Sequence, residues 1–224
     1  MKQLVLDIAR PPAPTLDNFV PGRNEELVAA LYATAHGASS EQFIYMWGAP
    51  GSGRSHLLRA AVAAARAADK PATFFESGAR EFAAADDAPD GAFFAVDDVH
   101  LLDPQAQIAL FNLHNRIKAG NGTLLASGNA APPQLALRAD LMTRLGAGLV
   151  YHVHGLNEEE KVAALRRHAQ ARGFELSSEV VAYLLRHVQR DLPSLLALLD
   201  ALDRYSLDSR RAITLPLLRE LLNA

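Results

Sequence analysis

The 224-residue chain has no cysteine. That excludes a disulfide framework and any thiolate-ligated metal. No stretch approaches the ~18 consecutive apolar residues of a membrane span. Met1-Lys2-Gln3 is not followed by the long apolar core of a secretory signal. Positive charge is not in excess either: 22 Lys and Arg stand against 25 Asp and Glu, a net charge of −3. This balance argues against a dedicated nucleic-acid-binding face. What remains is a chain that is 50% hydrophobic, expected to be cytoplasmic, and long enough for one large domain or two small ones.

The strongest signal is Gly48-Ala49-Pro50-Gly51-Ser52-Gly53-Arg54-Ser55. Phe43-Ile44-Tyr45-Met46-Trp47 precedes it and reads as a buried strand. Leu57, Leu58, Ala61, Val62 and Ala65 follow at helical spacing. Strand, glycine-rich turn and helix are the context of a phosphate-binding loop. Its glycines let several N–H groups face one concavity, and the helix end adds positive potential. Ser55 stands where a hydroxyl would hold Mg²⁺. The motif asks for lysine where this chain has Arg54, a larger and planar cation. The expectation is a site that binds nucleotide but turns it over slowly or not at all.

Downstream, Ala92-Phe93-Phe94-Ala95-Val96 reads as a strand running into Asp97-Asp98. A hydrophobic strand that delivers a carboxylate beside a phosphate loop is the arrangement that places Mg²⁺ between the β- and γ-phosphates. Asp97 is the candidate ligand. Asp98 stands where many ATPases place a water-activating glutamate, and its shorter reach argues against self-hydrolysis. Thr123 to Ser127 is another strand, and Asn129 beyond it is either a γ-phosphate or water contact or a plain turn residue.

The remaining elements alternate. Strands are expected at 72–76 and 149–153. Helices are expected at 25–36 with Asn24 as cap, at 54–69, at 104–118, and at 135–145 ending near Arg144. Thr15 to Gly22 reads as an extended segment closing in a turn. The alternation implies an α/β fold, a five-stranded parallel sheet with helices on both faces and a ligand at the carboxyl ends of the strands. His152 and His154 share one strand face but have no third partner at metal-ligand spacing. After Leu156 only helical patterns occur, with helices at 157–172, 177–189, 192–207 and 216–223. The domain reading is therefore a tail at 1–14, a nucleotide-binding α/β domain at 15–155 and a small all-helical domain at 156–224. In the tail, Leu4, Leu6 and Ile8 alternate before a proline-rich spacer. That suits either docking in a partner's groove or an edge strand.

The order of parts resembles the AAA+ nucleotide switches. Thr15-Leu16-Asp17-Asn18-Phe19-Val20-Pro21-Gly22-Arg23-Asn24 narrows this to the DnaA-related proteins of replication initiation. The Gln3-Leu4-Val5-Leu6 tail, and the lack of a helix-turn-helix region after the lid helices, are similar to the family's regulatory inactivators of DnaA. The resemblance implies that Val20, Pro21 and His56 help to line the nucleotide. It implies that Asn129 and Arg190 act as sensors, and that Arg144 is an arginine finger reaching into ATP held by DnaA. It implies that Gln3, Leu4 and Leu6 dock on the sliding clamp, the DNA polymerase III beta subunit. ADP (or ATP) with Mg would be the bound cofactor, self-association would depend on nucleotide, and DNA contact would be weak or indirect. A helicase-loader ATPase of the DnaC type is the alternative reading, and a non-enzymatic DNA-binding module is opposed by the acidic balance.

Overall fold

The computed structural model describes residues 13–76, 82, 89–187 and 192–223. They fall into two compact units, Pro14–Gly155 and the segment from Leu156 onward.

The first unit is built on five strands: β1 (Phe43–Trp47), β2 (Ala72–Phe75), β3 (Phe93–Val96), β4 (Thr123–Gly128) and β5 (Leu149–His152). They pair in parallel in the order β2-β3-β4-β1-β5. The central strands are apolar at nearly every position because helices cover both sheet faces. Side chains alternate between those faces. Ile44, Met46, Phe93, Ala95 and Leu125 join α1 (Glu25–Ala35) and α2 (Arg54–Ala67) in one core. Tyr45, Phe94, Val96, Leu124 and Ala126 join α3 (Pro104–Ala119) and α4 (Ala139–Leu145) in the other. Parallel pairing with crossover helices brings the carboxyl ends of β1, β3 and β4 to one edge. The phosphate-loop sequence, Asp97-Asp98 and Ser127 therefore share that edge.

Three local expectations change. Asn24 does not cap α1 with its side chain. It is 3% exposed and donates to Pro21 O at 2.9 Å and His154 O at 2.8 Å, while accepting from His154 N–H at 2.8 Å. A long-range pair of backbone groups competes better for this amide than the helix end does. Thr15 to Gly22 is a turn rather than an extended run, closed by Thr15 N–H on Asn18 Oδ1 (3.0 Å) and Asn18 N–H on Thr15 Oγ1 (3.1 Å). The helix expected at 135–145 begins at Ala139. Pro132–Gln134 form a 3-10 turn and Leu135 is extended, which sends that side chain into the core.

The second unit contains α5 (Glu158–Ala171), α6 (Ser178–His187), α7 (Leu192–Ser209) and α8 (Leu215–Asn223). Asn157 and Glu160 form a reciprocal capping box at the start of α5, with bonds of 2.7 and 2.8 Å. Leu165, Leu184, Leu195, Leu199, Leu202, Leu217 and Leu218 form its core. His168 of α5 and Arg172 just past its end both reach Asp200 of α7, at 2.6 and 2.8 Å.

Candidate nucleotide-binding site

The loop between β1 and α2 folds as the sequence pattern demands. Ser52 N–H closes a turn on Ala49 O at 3.1 Å. Gly51 and Gly53 take φ of +77° and +103°, which side-chain-bearing residues rarely adopt. Gly53 is constrained twice, because a Cβ there would lie 2.7 Å from the Phe19 ring. The first-turn N–H groups of α2 have no carbonyl to bond within their own helix. Ser52 Oγ is buried without a hydrogen-bond partner among the described residues. Those donors, at the positive end of a helix, fit the oxygens of a phosphate chain.

The leading segment is held to this loop. Phe19 lies 5.5 Å from the His56 ring, and the His56 Nε2 is 3.1 Å from Thr15 O. Desolvation, partly offset by that carbonyl contact, lowers the His56 pKa below its ordinary value. Val20 and Pro21 follow directly and are half-buried.

Arg54 is buried, and its Nη1 lies 3.0 Å from Asp98 Oδ1. Asp98 sits in the left-handed region, φ +48° and ψ +55°. Its N–H donates to Ser127 Oγ at 3.0 Å, and Ser127 Oγ donates to Asp97 Oδ1 at 2.5 Å. Asp97 is buried as well. Beneath them, Tyr45 Oη donates to Ala130 O at 2.7 Å. Burial pushes the Tyr45 phenol well above its ordinary pKa, and the nearby Arg54 charge opposes this.

The structure thus joins Gly48, Pro50, Gly51, Ser52, Gly53, Arg54, Ser55 and His56 in one loop and helix start, with Arg54 tied to Asp98 and Asp97 one residue away. Ser55 is exposed and buried Asp97 is an oxygen donor. Two hard oxygens beside a phosphate cradle suit Mg²⁺. Asn129 is exposed just past the end of β4. Arg144 lies in the last turn of α4, with its guanidinium 5.6 Å from the Phe111 ring centre. Arg190 and the tail residues Gln3, Leu4 and Leu6 lie outside the described residues. His152 stacks on Trp47 at 4.0 Å and meets His154 edge-on at 4.3 Å. Among the described residues no cluster of three or more His, Cys, Asp or Glu is placed to hold a metal, and no helix is long and apolar enough to cross a membrane.

Ser127 is the residue that sequence reasoning passed over. Its signal is a hydroxyl at the next-to-last position of an apolar strand, two residues before Asn129.

Residues 158–222 match the family model of the Hda lid domain. Domain III of the Thermotoga maritima replication initiation protein DnaA is similar in structure, with 22% identity and a TM-score of 0.69 over 95% of this chain and 96% of that one. AMPPCP-bound DnaA from Aquifex aeolicus gives 20% identity and a TM-score of 0.66 over 90% and 71%. A Thermotoga maritima RuvB mutant gives 14% and 0.65 over 94% and 72%. The fold is shared with these solved structures, a five-stranded parallel sheet followed by helices that match a lid domain.

Proposed function

We propose that this DnaA-related AAA+ protein with an Hda-type lid is a negative regulator of replication initiation that stimulates hydrolysis of ATP bound to DnaA. The lid match on a DnaA-like core is the observation that carries this reading. In it, the chain works in a nucleotide-bound state with ADP (or ATP). The loop N–H groups and Ser52 hold phosphate oxygens, and Val20, Pro21 and His56 line the rest. Ser55 and Asp97 would hold Mg²⁺, which supplies charge neutralisation to the phosphates. Arg144 acts in trans. Its guanidinium would stabilise charge on the phosphoryl group of the DnaA-bound ATP, an effect worth about 10³–10⁵ in rate in other systems. Gln3, Leu4 and Leu6 would dock on the sliding clamp, and Asn129 and Arg190 would sense the nucleotide. The Arg54–Asp98 contact supports a regulator over a motor, since it occupies the carboxylate that a self-sufficient ATPase would turn toward water.

The test is turnover of radiolabelled ATP pre-bound to DnaA in the presence of DNA-loaded clamp. The intact chain is expected to accelerate it, and Arg144→Ala to lose the acceleration while keeping the fold. Deleting residues 1–8 is expected to abolish clamp binding in a pull-down. If the intact chain gives no acceleration, the helicase-loader reading replaces this one.

A further inference from the structure

We propose that Gln107 is a positioning residue for Arg144: it fastens the start of α4 to the loop that follows Asp97-Asp98, and so sets where the guanidinium is presented. This rests on the reading of Arg144 as a finger acting in trans and names a residue that aims it.

Gln107 lies in the first turn of α3 and is 8% exposed. A buried amide without partners is costly, and this one is bonded at both ends. Its Nε2 donates to Leu102 O at 3.0 Å, and its Oε1 accepts from Arg138 N–H at 3.0 Å. Leu102 follows the 3-10 turn Val99–Leu101, which begins directly after Asp98. Arg138 is the residue before α4. One side chain therefore joins the loop beyond the two carboxylates to the helix that carries Arg144.

The link matters because little else fixes the start of α4. No side chain caps that end, and residues 135–138 belong to no helix or strand. The helix has seven residues, too few to be stable alone, so its place is set by what it packs on. Leu141 and Leu145 sink into the core beneath it. Apolar burial is not directional, and it leaves rotation and sliding of so short a helix to its polar contacts. Gln107 holds the start. Phe111, one turn further along the same face of α3, meets the Arg144 guanidinium at 5.6 Å. At 1.5 Å per residue, Arg144 stands about 9 Å along α4 from Arg138. A tilt at the start is passed to the guanidinium, and a shift of about 1 Å in a reacting group can cost about a hundredfold in rate.

Two variants separate aim from stability. Gln107→Leu keeps the bulk and removes both bonds. Gln107→Glu keeps an acceptor for Arg138 N–H but turns a buried carboxylate toward Leu102 O. Urea unfolding is expected to rank Gln107→Glu at or below Gln107→Leu in stability, and stimulation of DnaA to rank them the other way. In turnover of ATP pre-bound to DnaA, with DNA-loaded clamp, Gln107→Leu is expected to lose about tenfold or more in maximal rate at an unchanged half-saturating concentration. Gln107→Glu is expected to stay within about threefold of the intact chain. Hydrogen exchange read by mass spectrometry should show α4 less protected in Gln107→Leu, with α2 as in the intact chain. Stimulation that follows the stability order, or native α4 protection in Gln107→Leu, overturns the role of Gln107 and leaves the finger reading standing. Absence of acceleration by the intact chain overturns the finger reading, and the aiming role with it.

Discussion

Ser127 donates its hydroxyl to Asp97 at 2.5 Å and receives the Asp98 N–H at 3.0 Å. One fully buried oxygen therefore holds the Asp97 carboxylate and the Asp98 backbone together. Ser127→Ala removes both bonds and leaves the Asp97 carboxylate short of a donor. The expected loss is about 2 kcal/mol of stability, the usual cost of an unmet buried bond to a charged group. Nucleotide affinity is expected to fall as well, because the Asp97 carboxylate loses its aim and the Asp98 backbone its tether. Urea unfolding followed by circular dichroism gives the first quantity and calorimetry the second. A variant with unchanged unfolding midpoint would show that the hydroxyl is incidental.

The two positive-φ glycines of the loop predict different outcomes. Gly51→Ala meets open space at φ +77°, so it costs backbone strain alone, about 1–2 kcal/mol. Gly53→Ala carries the same kind of strain and also drives a Cβ to 2.7 Å from Phe19. It is expected to destabilise more and to release the leading segment from His56. Limited proteolysis near Thr15–Val20 should quicken in Gly53→Ala and stay at the native rate in Gly51→Ala. Equal cleavage in the two variants would contradict the Phe19 contact.

His114 gives the acid limb of the stability curve. It is 2% exposed, stacked at 3.9 Å on Phe43. Burial first, then the charges of Arg144 and Lys118, hold its pKa down to about 4 from 6.5. A pKa lowered on folding means that the folded state prefers the neutral ring. Its contribution is whole above pH 6.5 and is lost as the pH falls from 6.5 toward about 4. The difference corresponds to about 3 kcal/mol across that window. His114→Phe should flatten the slope of unfolding free energy between those pH values. Arg144→Ala should flatten it partly, by removing one of the charges. A slope unchanged in His114→Phe would assign the acid sensitivity to other groups.

Much of the framework was legible in the residues themselves. Five apolar strands each end before a turn, and alternating helices force parallel pairing, so the sheet and the site edge follow from hydrophobic pattern alone. The glycine turn between β1 and α2 and the place of Asp97 at the end of β3 were legible because each has a fixed local spacing. Ser127 was not, since a serine in an apolar strand reads the same whether or not it faces a carboxylate from the neighbouring strand. The Arg54–Asp98 contact was hidden for a similar reason: 44 positions separate the two, and only the pairing of β3 beside β4 and β4 beside β1 brings them together. The extended Leu135 escaped because its apolar spacing suits a helix, while its contribution to the core decides otherwise.

Asn24 makes the same point through a side chain that changed roles. As a helix cap its loss would cost about 1 kcal/mol. In the structure its amide instead spans the chain from Pro21 to His154, with three bonds of 2.8 to 2.9 Å. It ties the turn before α1 to the backbone just past β5, the edge strand of the sheet. Asn24→Ala should therefore cost about 2–4 kcal/mol, since the His154 C=O and N–H both lose partners at a buried position, while Pro21 O keeps the residue-24 N–H. Asn24→Asp separates the two roles. Aspartate is as good a helix cap as asparagine, so a capping residue would tolerate it. Here it would replace an amide donor with a carboxylate facing two carbonyl oxygens, and burial would add a desolvation cost. The expected order of stability is wild type, then Asn24→Ala, then Asn24→Asp, measured by urea unfolding at neutral pH. Lowering the pH should recover part of the loss in Asn24→Asp alone, because protonation removes the buried charge and restores one donor. Near-native stability of Asn24→Asp would return Asn24 to the role of a cap.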